Sequence, residues 1–167
     1  MRRENVHTSD TFEIQVARPR QRISEANVLL EILRDGRVTA SRRRHNLVVD
    51  AGKADIVSRL VVLPTSLYRH MRLGTDGEAP TPEHTSLLAF VPGSNRTCDS
   101  AVMSGDRTAT MTCTWQPADF AATGIQEAGL FDQLGPDSGS MLARVTFEPV
   151  SKSLLDTLKI TWTIQIN

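Results

Sequence analysis

The stretch Thr108-Ala109-Thr110-Met111-Thr112-Cys113-Thr114-Trp115 places threonine at every second position and an apolar residue between each pair. A period of two is the pattern of a strand with one wet and one dry face, and no helix satisfies it. The last residues repeat it, with Leu158, Ile160, Trp162, Ile164 and Ile166 on one side and polar residues on the other. Two further strands are predicted over Ile125–Phe131 and Met141–Phe147, separated by the turn-rich Gly135-Pro136-Asp137-Ser138-Gly139-Ser140, and together the four read as an antiparallel meander. Upstream, Asn27–Arg34 and Arg37–Ser41 flank Asp35-Gly36, a dipeptide suited to a type I′ hairpin turn. Phe12–Ala17 is another strand candidate. The expected helix is short: Asp50 caps it, Ile56, Val57 and Leu60 form its apolar stripe, and Pro64 stops it. Residues 74–82 read as a polar loop. The fold class expected is all-β, an antiparallel β-sandwich with one short helix and an extended N-terminal arm. Within one compact unit, residues 1–45 are assigned to an arm and hairpin used in assembly, and 46–167 to the sandwich.

At 167 residues the chain is long enough for one self-sufficient core. Nineteen basic and nineteen acidic residues cancel, which removes any general attraction for nucleic acid or anionic lipid, so neither nucleic acid nor membrane is expected as a partner. The first ten residues lack the apolar core of a secretory signal, and the longest aliphatic run, Leu60–Leu63, is far below the roughly 20 residues that span a bilayer. Synthesis in the cytoplasm is expected. Charge is split: residues 1–60 hold 12 basic and 8 acidic residues, residues 61–167 hold 7 and 11. Sixteen of the nineteen cations are arginine, which favours fixed bidentate contacts.

The residues offer little chemistry. His7, His45, His70 and His84 are not at metal-pair spacing, and Asp76, Glu78, Glu83 and His84 lack the register of a calcium loop and read as a solvated turn. Neither Ser94 nor Ser140 sits in a nucleophile elbow, and there is no phosphate-binding loop, so no enzyme activity and no cofactor is expected. Arg42-Arg43-Arg44-His45 is the densest charge. It reads as a solvated strand end or as a contact for an acidic neighbouring subunit, with nucleic acid a distant third; Arg18, Arg20 and Arg22 join it as candidate subunit contacts. If Gly105-Asp106 closes a two-residue hairpin, cross-strand partners sum to 211, and Cys98 faces Cys113 with Val102 and Ala109 on the same side. The pair then forms a disulfide or packs as two reduced thiols beside Met111 and Trp115. The threonine face lacks the lysines that protect exposed sheet, and a second layer or a neighbouring protomer is expected to cover it.

Several blocks together resemble small structural proteins of tailed bacteriophages. These are Asn46-Leu47-Val48-Val49-Asp50-Ala51-Gly52 opening a helix, Met71-Arg72-Leu73-Gly74-Thr75-Asp76-Gly77-Glu78-Ala79-Pro80, Ile125-Gln126-Glu127-Ala128-Gly129-Leu130-Phe131, residues 139–150, and the strand 158–166. The resemblance covers about residues 45–167 and departs at Asp76, where the family usually has glycine. It implies a virion component of the tail, baseplate or fibre-bearing appendage, made in the bacterial cytoplasm and located in the virion. Its partners would be other tail or baseplate proteins and further copies of itself, as a trimer or hexamer, with the host-cell surface as another contact. The alternatives are a capsid decoration or neck protein and a receptor- or glycan-binding module, for which Tyr68 is the main aromatic candidate.

Overall fold

In the computed structural model, which describes residues 27–58, 66–105 and 108–165, Asp35 and Gly36 both take positive φ, 50° and 73°. That is the geometry a two-residue type I′ turn requires, and it joins β1 (Asn27–Arg34) to β2 (Arg37–His45). The hairpin is integral to the sandwich: Val28, Leu30 and Ile32 enter the core, and β1 lies inside a sheet. The strand candidate Phe12–Ala17 and the arm residues Arg18, Arg20 and Arg22 lie outside the described residues.

The chain continues through β3 (Leu47–Val48), α1 (Asp50–Ser58), β4 (His70–Gly74), β5 (Arg96–Thr97), β6 (Ser100–Gly105), β7 (Thr108–Trp115), β8 (Ala122–Phe131), β9 (Met141–Lys152) and β10 (Thr157–Gln165). Two five-stranded antiparallel sheets result, ordered β2-β1-β10-β7-β6 and β3-β9-β8-β4-β5. Among the described residues the expected all-β sandwich with one short helix is therefore what the chain forms. The strands are not the single meander expected from β7 to β10, however. β8 and β9 pair in the second sheet, while β10 returns to the first between β1 and β7. At both lateral edges the backbone passes from one sheet to the other, β2 through Asn46 into β3 and β5 through Cys98-Asp99 into β6.

Between the sheets lie the alternate residues that the period-two pattern picked out. Met111, Cys113 and Trp115 on β7 and Leu158, Ile160 and Trp162 on β10 meet Met71, Leu73, Ile125, Leu130 and Val145. Each such aliphatic side chain stabilises the fold by about 1.5–3 kcal/mol on burial. Trp115 stands edge-on to Phe120 at 6.5 Å, and its indole N–H donates to the Ser94 carbonyl at 2.8 Å, which supplies the partner a buried indole needs. Thr108, Thr110, Thr112 and Thr114 point outward beside Thr161 and Thr163 and remain half-buried. Among the described residues no further layer covers them, because the second sheet packs on the opposite, apolar face.

The second sheet differs from the first in being buried on both faces. Five consecutive residues of β9, Met141 to Val145, are buried, as are Glu127 to Phe131 of β8. Its outer face is roofed by residues 75–90, by residues 132–140 and by α1. The helix begins where Val49 O accepts from Lys53 N–H at 3.1 Å, so Val49 occupies the cap and Asp50 the first turn, where its carboxylate pairs with Lys53 at 2.7 Å. Ile56 is 37% exposed and so is not part of a buried stripe; the side chains of Val57 and Leu60, and Pro64, fall outside the description. What turns toward the sheet is Gly52, where an added Cβ would stand 2.5 Å from Leu142 O and 2.7 Å from Leu142 Cα.

Gly52→Ala therefore sets two effects against each other. Helix propensity favours alanine by roughly 0.5–1 kcal/mol, whereas the clash is with backbone that cannot rotate away and costs about 1–3 kcal/mol. The expected outcome is a net loss of stability, read as a lower urea midpoint.

Candidate functional site

Glu127 on β8 and Arg144 on β9 lie on the outer face of the second sheet, both fully buried. Arg144 Nε donates to Glu127 Oε2 at 2.8 Å. The same carboxylate accepts the backbone N–H groups of Leu88 (3.2 Å) and Ala89 (2.8 Å). Arg144 Nη1 donates to the Glu78 carbonyl at 2.9 Å and to His84 Nδ1 at 3.2 Å, and that ring nitrogen also accepts from Thr81 N–H at 3.1 Å. Accepting twice, Nδ1 carries no proton, so the neutral ring holds its hydrogen on Nε2, 3.7 Å from Glu78 Oε1. Asp76 Oδ1 accepts from Glu78 N–H at 2.7 Å and stands 3.7 Å from Arg144 Nη2.

This cluster is a clasp for residues 75–90. Both Glu127 oxygens are engaged and the side chain is fully buried, so the carboxylate is committed to holding the loop. Asp76 and His84, read from sequence as a solvated turn, are tied into it. Gly74 is part of the same geometry, since a Cβ there would meet Glu127 Oε1 and the Ala89 carbonyl, the latter at 2.6 Å. Among the described residues no three His, Cys, Asp or Glu side chains gather to hold a metal ion.

Two more buried cations hold loops in the same way. Arg72 of β4 donates to the carbonyls of Pro136 (3.0 Å), Gln133 (2.9 Å) and Ser138, with its guanidinium 3.8 Å above the Phe131 ring; burial pushes its pKa down. Lys152 Nζ donates to the Phe120 carbonyl at 2.9 Å, and burial lowers it too.

The sequence-derived site residues are scattered rather than gathered. Arg42 and Arg44 lie opposite Leu30 and Val28, and Arg43 opposite Leu29, so the row alternates between the inner and outer sides of the β2 edge. Arg44 has Glu148 at 3.9 Å; among the described residues Arg42 and Arg43 have no carboxylate partner. Tyr68 is half-buried against the core and donates its hydroxyl to Asp55 of α1, so it is not the exposed aromatic that a glycan site would use.

Cys98 and Cys113 do meet, with sulfurs 3.1 Å apart and both present as free thiols. The route differs from the expected one. Along β6 partners sum to 212 (Ser100↔Thr112, Val102↔Thr110), and the register shifts between Met103 and Gly105. Val102 therefore shares the outer face with Thr110, not the inner face with Ala109. Cys98 reaches Cys113 from the corner between β5 and β6. Its thiol and the surrounding burial push the Cys113 pKa up, keeping that sulfur protonated.

No family model, no curated protein and no solved structure matches this chain.

Glu127→Gln removes the charge that answers Arg144 while keeping the shape. Breaking a buried pair from one side costs about 3–5 kcal/mol, so the variant is expected to lose that much in chemical denaturation. Exchange of the Leu88 and Ala89 amides should rise with it.

A second electrostatic tie gives a pH dependence. Arg34 at the end of β1 grips Asp156 with two bonds of 2.8 and 3.1 Å, while Ser153 adds its amide (2.9 Å) and hydroxyl (2.7 Å). The Arg34 guanidinium, then Ser153, hold the Asp156 carboxyl below its ordinary value of 3.8. A carboxylate with a depressed folded-state pKa stabilises fully above its unfolded value and loses that contribution as pH falls through the folded value. Asp156→Asn is expected to melt below the wild type at pH 7, and the gap should close as both are acidified below about pH 4.

Proposed function

We propose that this chain is a structural virion protein of a tailed bacteriophage, a component of the tail, baseplate or fibre-bearing appendage that works through subunit contacts. The observation that carries the reading is the arginine row on β2. It stands on a formed strand at the outer edge of the first sheet, and Arg42 and Arg43 find no carboxylate among the described residues. In a chain whose charges sum to zero, a basic row in which Arg44 alone has a carboxylate within reach suits an acidic surface on a neighbouring subunit. A capsid decoration or neck position would use the same row.

The resemblance to phage structural proteins gains physical sense from its glycines. Gly52 faces the Leu142 backbone, Gly74 sits over the Glu127 carboxylate, and Gly139 takes φ +81°, so the blocks that carry the resemblance contain places where a side chain does not fit. Asp76, the departure from the family pattern, supplies the turn-forming acceptor for Glu78 N–H and an acidic neighbour for Arg144.

The reading is tested on particles. An antibody against the purified protein should detect it in tailed particles banded by density from the source strain; absence from such particles overturns the proposal. Arg42→Ser, Arg43→Ser and Arg44→Ser together should leave the fold intact and lower incorporation about tenfold, the effect of losing about 1.4 kcal/mol at the contact. Unchanged incorporation would remove these arginines from the interface.

A further inference from the structure

The first sheet ends in two long strands that meet water differently. On β2, the Arg42 and Arg44 side chains sit on the inner side of the edge, opposite Leu30 and Val28, and Arg37, Arg43 and His45 add more basic residues. Charges turned inward on an edge strand obstruct any further strand from docking there. β6 has no such protection. All six of its residues, Ser100-Ala101-Val102-Met103-Ser104-Gly105, are exposed, and none is charged or proline. Val102 is 55% and Met103 76% exposed. With β7 on one side only, every second residue of β6 turns its N–H and C=O outward with no partner among the described residues. The edges of the second sheet are the two-residue β3 and β5, too short to add a strand of comparable length.

We propose that β6 pairs antiparallel with β6 of a second copy about a two-fold axis, joining two first sheets into one ten-stranded sheet. This rests on the assembly reading above and names the partner for a different edge. Charge selects the second copy's β6. A β2 strand from another copy would bring its arginines against a strand with no carboxylate to answer them, whereas β6 against β6 sets neutral residues opposite neutral ones. A two-fold also makes the contact self-complementary. Val102 lies with Thr110 on the outer face and Met103 with Ala109 on the inner side, so an axis near these two residues brings each toward its own symmetry mate, one pair on each face of the joined sheet. Cross-strand apolar pairs of this kind are the unit of sheet stabilisation. A two-fold of this kind fits a hexamer built from dimers and excludes a lone trimer.

The test is the molar mass of the purified chain by light scattering over a dilution series, compared with Val102→Lys/Met103→Lys and with a neutral control, Val102→Thr/Met103→Thr. These side chains are exposed, so the fold should survive in each variant, as checked by an unchanged far-ultraviolet circular dichroism spectrum and a single cooperative melting transition. The expected result is a wild-type mass approaching twice 18.4 kDa, the same for the threonine control, and half that mass for the lysine variant. A wild type that is monomeric at its highest soluble concentration, or whose mass is an odd multiple of 18.4 kDa, overturns the proposal, as does a lysine variant that keeps the wild-type mass. Failure here would leave detection in particles untouched, and a dimer broken by the lysines in a protein absent from particles would sink only the virion reading.

Discussion

Apart from α1, the roof over the second sheet is made of chain with almost no regular structure, and buried backbone N–H and C=O groups in such a roof cannot be left without partners. Regular secondary structure would satisfy them internally; residues 75–90 and 132–140 do not form enough of it. The sheet answers with charge. Glu127 takes two loop amides, and Arg144 and Arg72 take loop carbonyls. Each charged group is held by several bonds at once, which offsets the cost of removing it from water. Gly52 and Gly74 follow from the same close approach, which leaves no room for a Cβ; at Gly129 a Cβ would lie 2.6 Å from the Phe131 ring of the same strand and 3.0 Å from Leu87 of the roof.

This arrangement decides what was legible in the sequence. The first sheet keeps one wet face, so its strands alternate, and β7, β10 and the β1–β2 hairpin follow directly from period and turn chemistry. In the second sheet β8 begins three residues before the expected Ile125 and β9 runs five residues past the expected Phe147, and the sequence pattern assigned no face to either strand. A polar residue in an alternating strand is read as solvated, whereas Glu127 and Arg144 are fully buried because a loop lies over them. That loop has no periodicity to announce it. The one available signal was a glutamate and an arginine inside otherwise apolar strand segments, beside glycines.

Pairing partners were equally hidden, since β10 joining β1 and β7 depends on contacts far apart in the chain. The meeting of the two cysteines was approached through an idealised hairpin count, while the sulfurs come together through a corner in the chain at Cys98-Asp99. Local rules placed both residues near one another; the bulged register of β6 decided which face its neighbours occupy. The helix shows the same limit. Its position was readable from Asp50 and its surroundings, but its inward side is set by how closely it approaches Leu142, and smallness at Gly52 counts for more there than apolarity at Ile56.

The crossings at the two lateral edges also bear on how the domain would carry a load. Sandwiches whose layers meet only through side chains resist sliding by packing alone, which yields in small steps. Here the two layers are also tied by covalent corners of one and two residues, Asn46 between β2 and β3 and Cys98-Asp99 between β5 and β6, which limit how far one layer can slide along the other. The molecule is thus hemmed along both margins by short covalent corners.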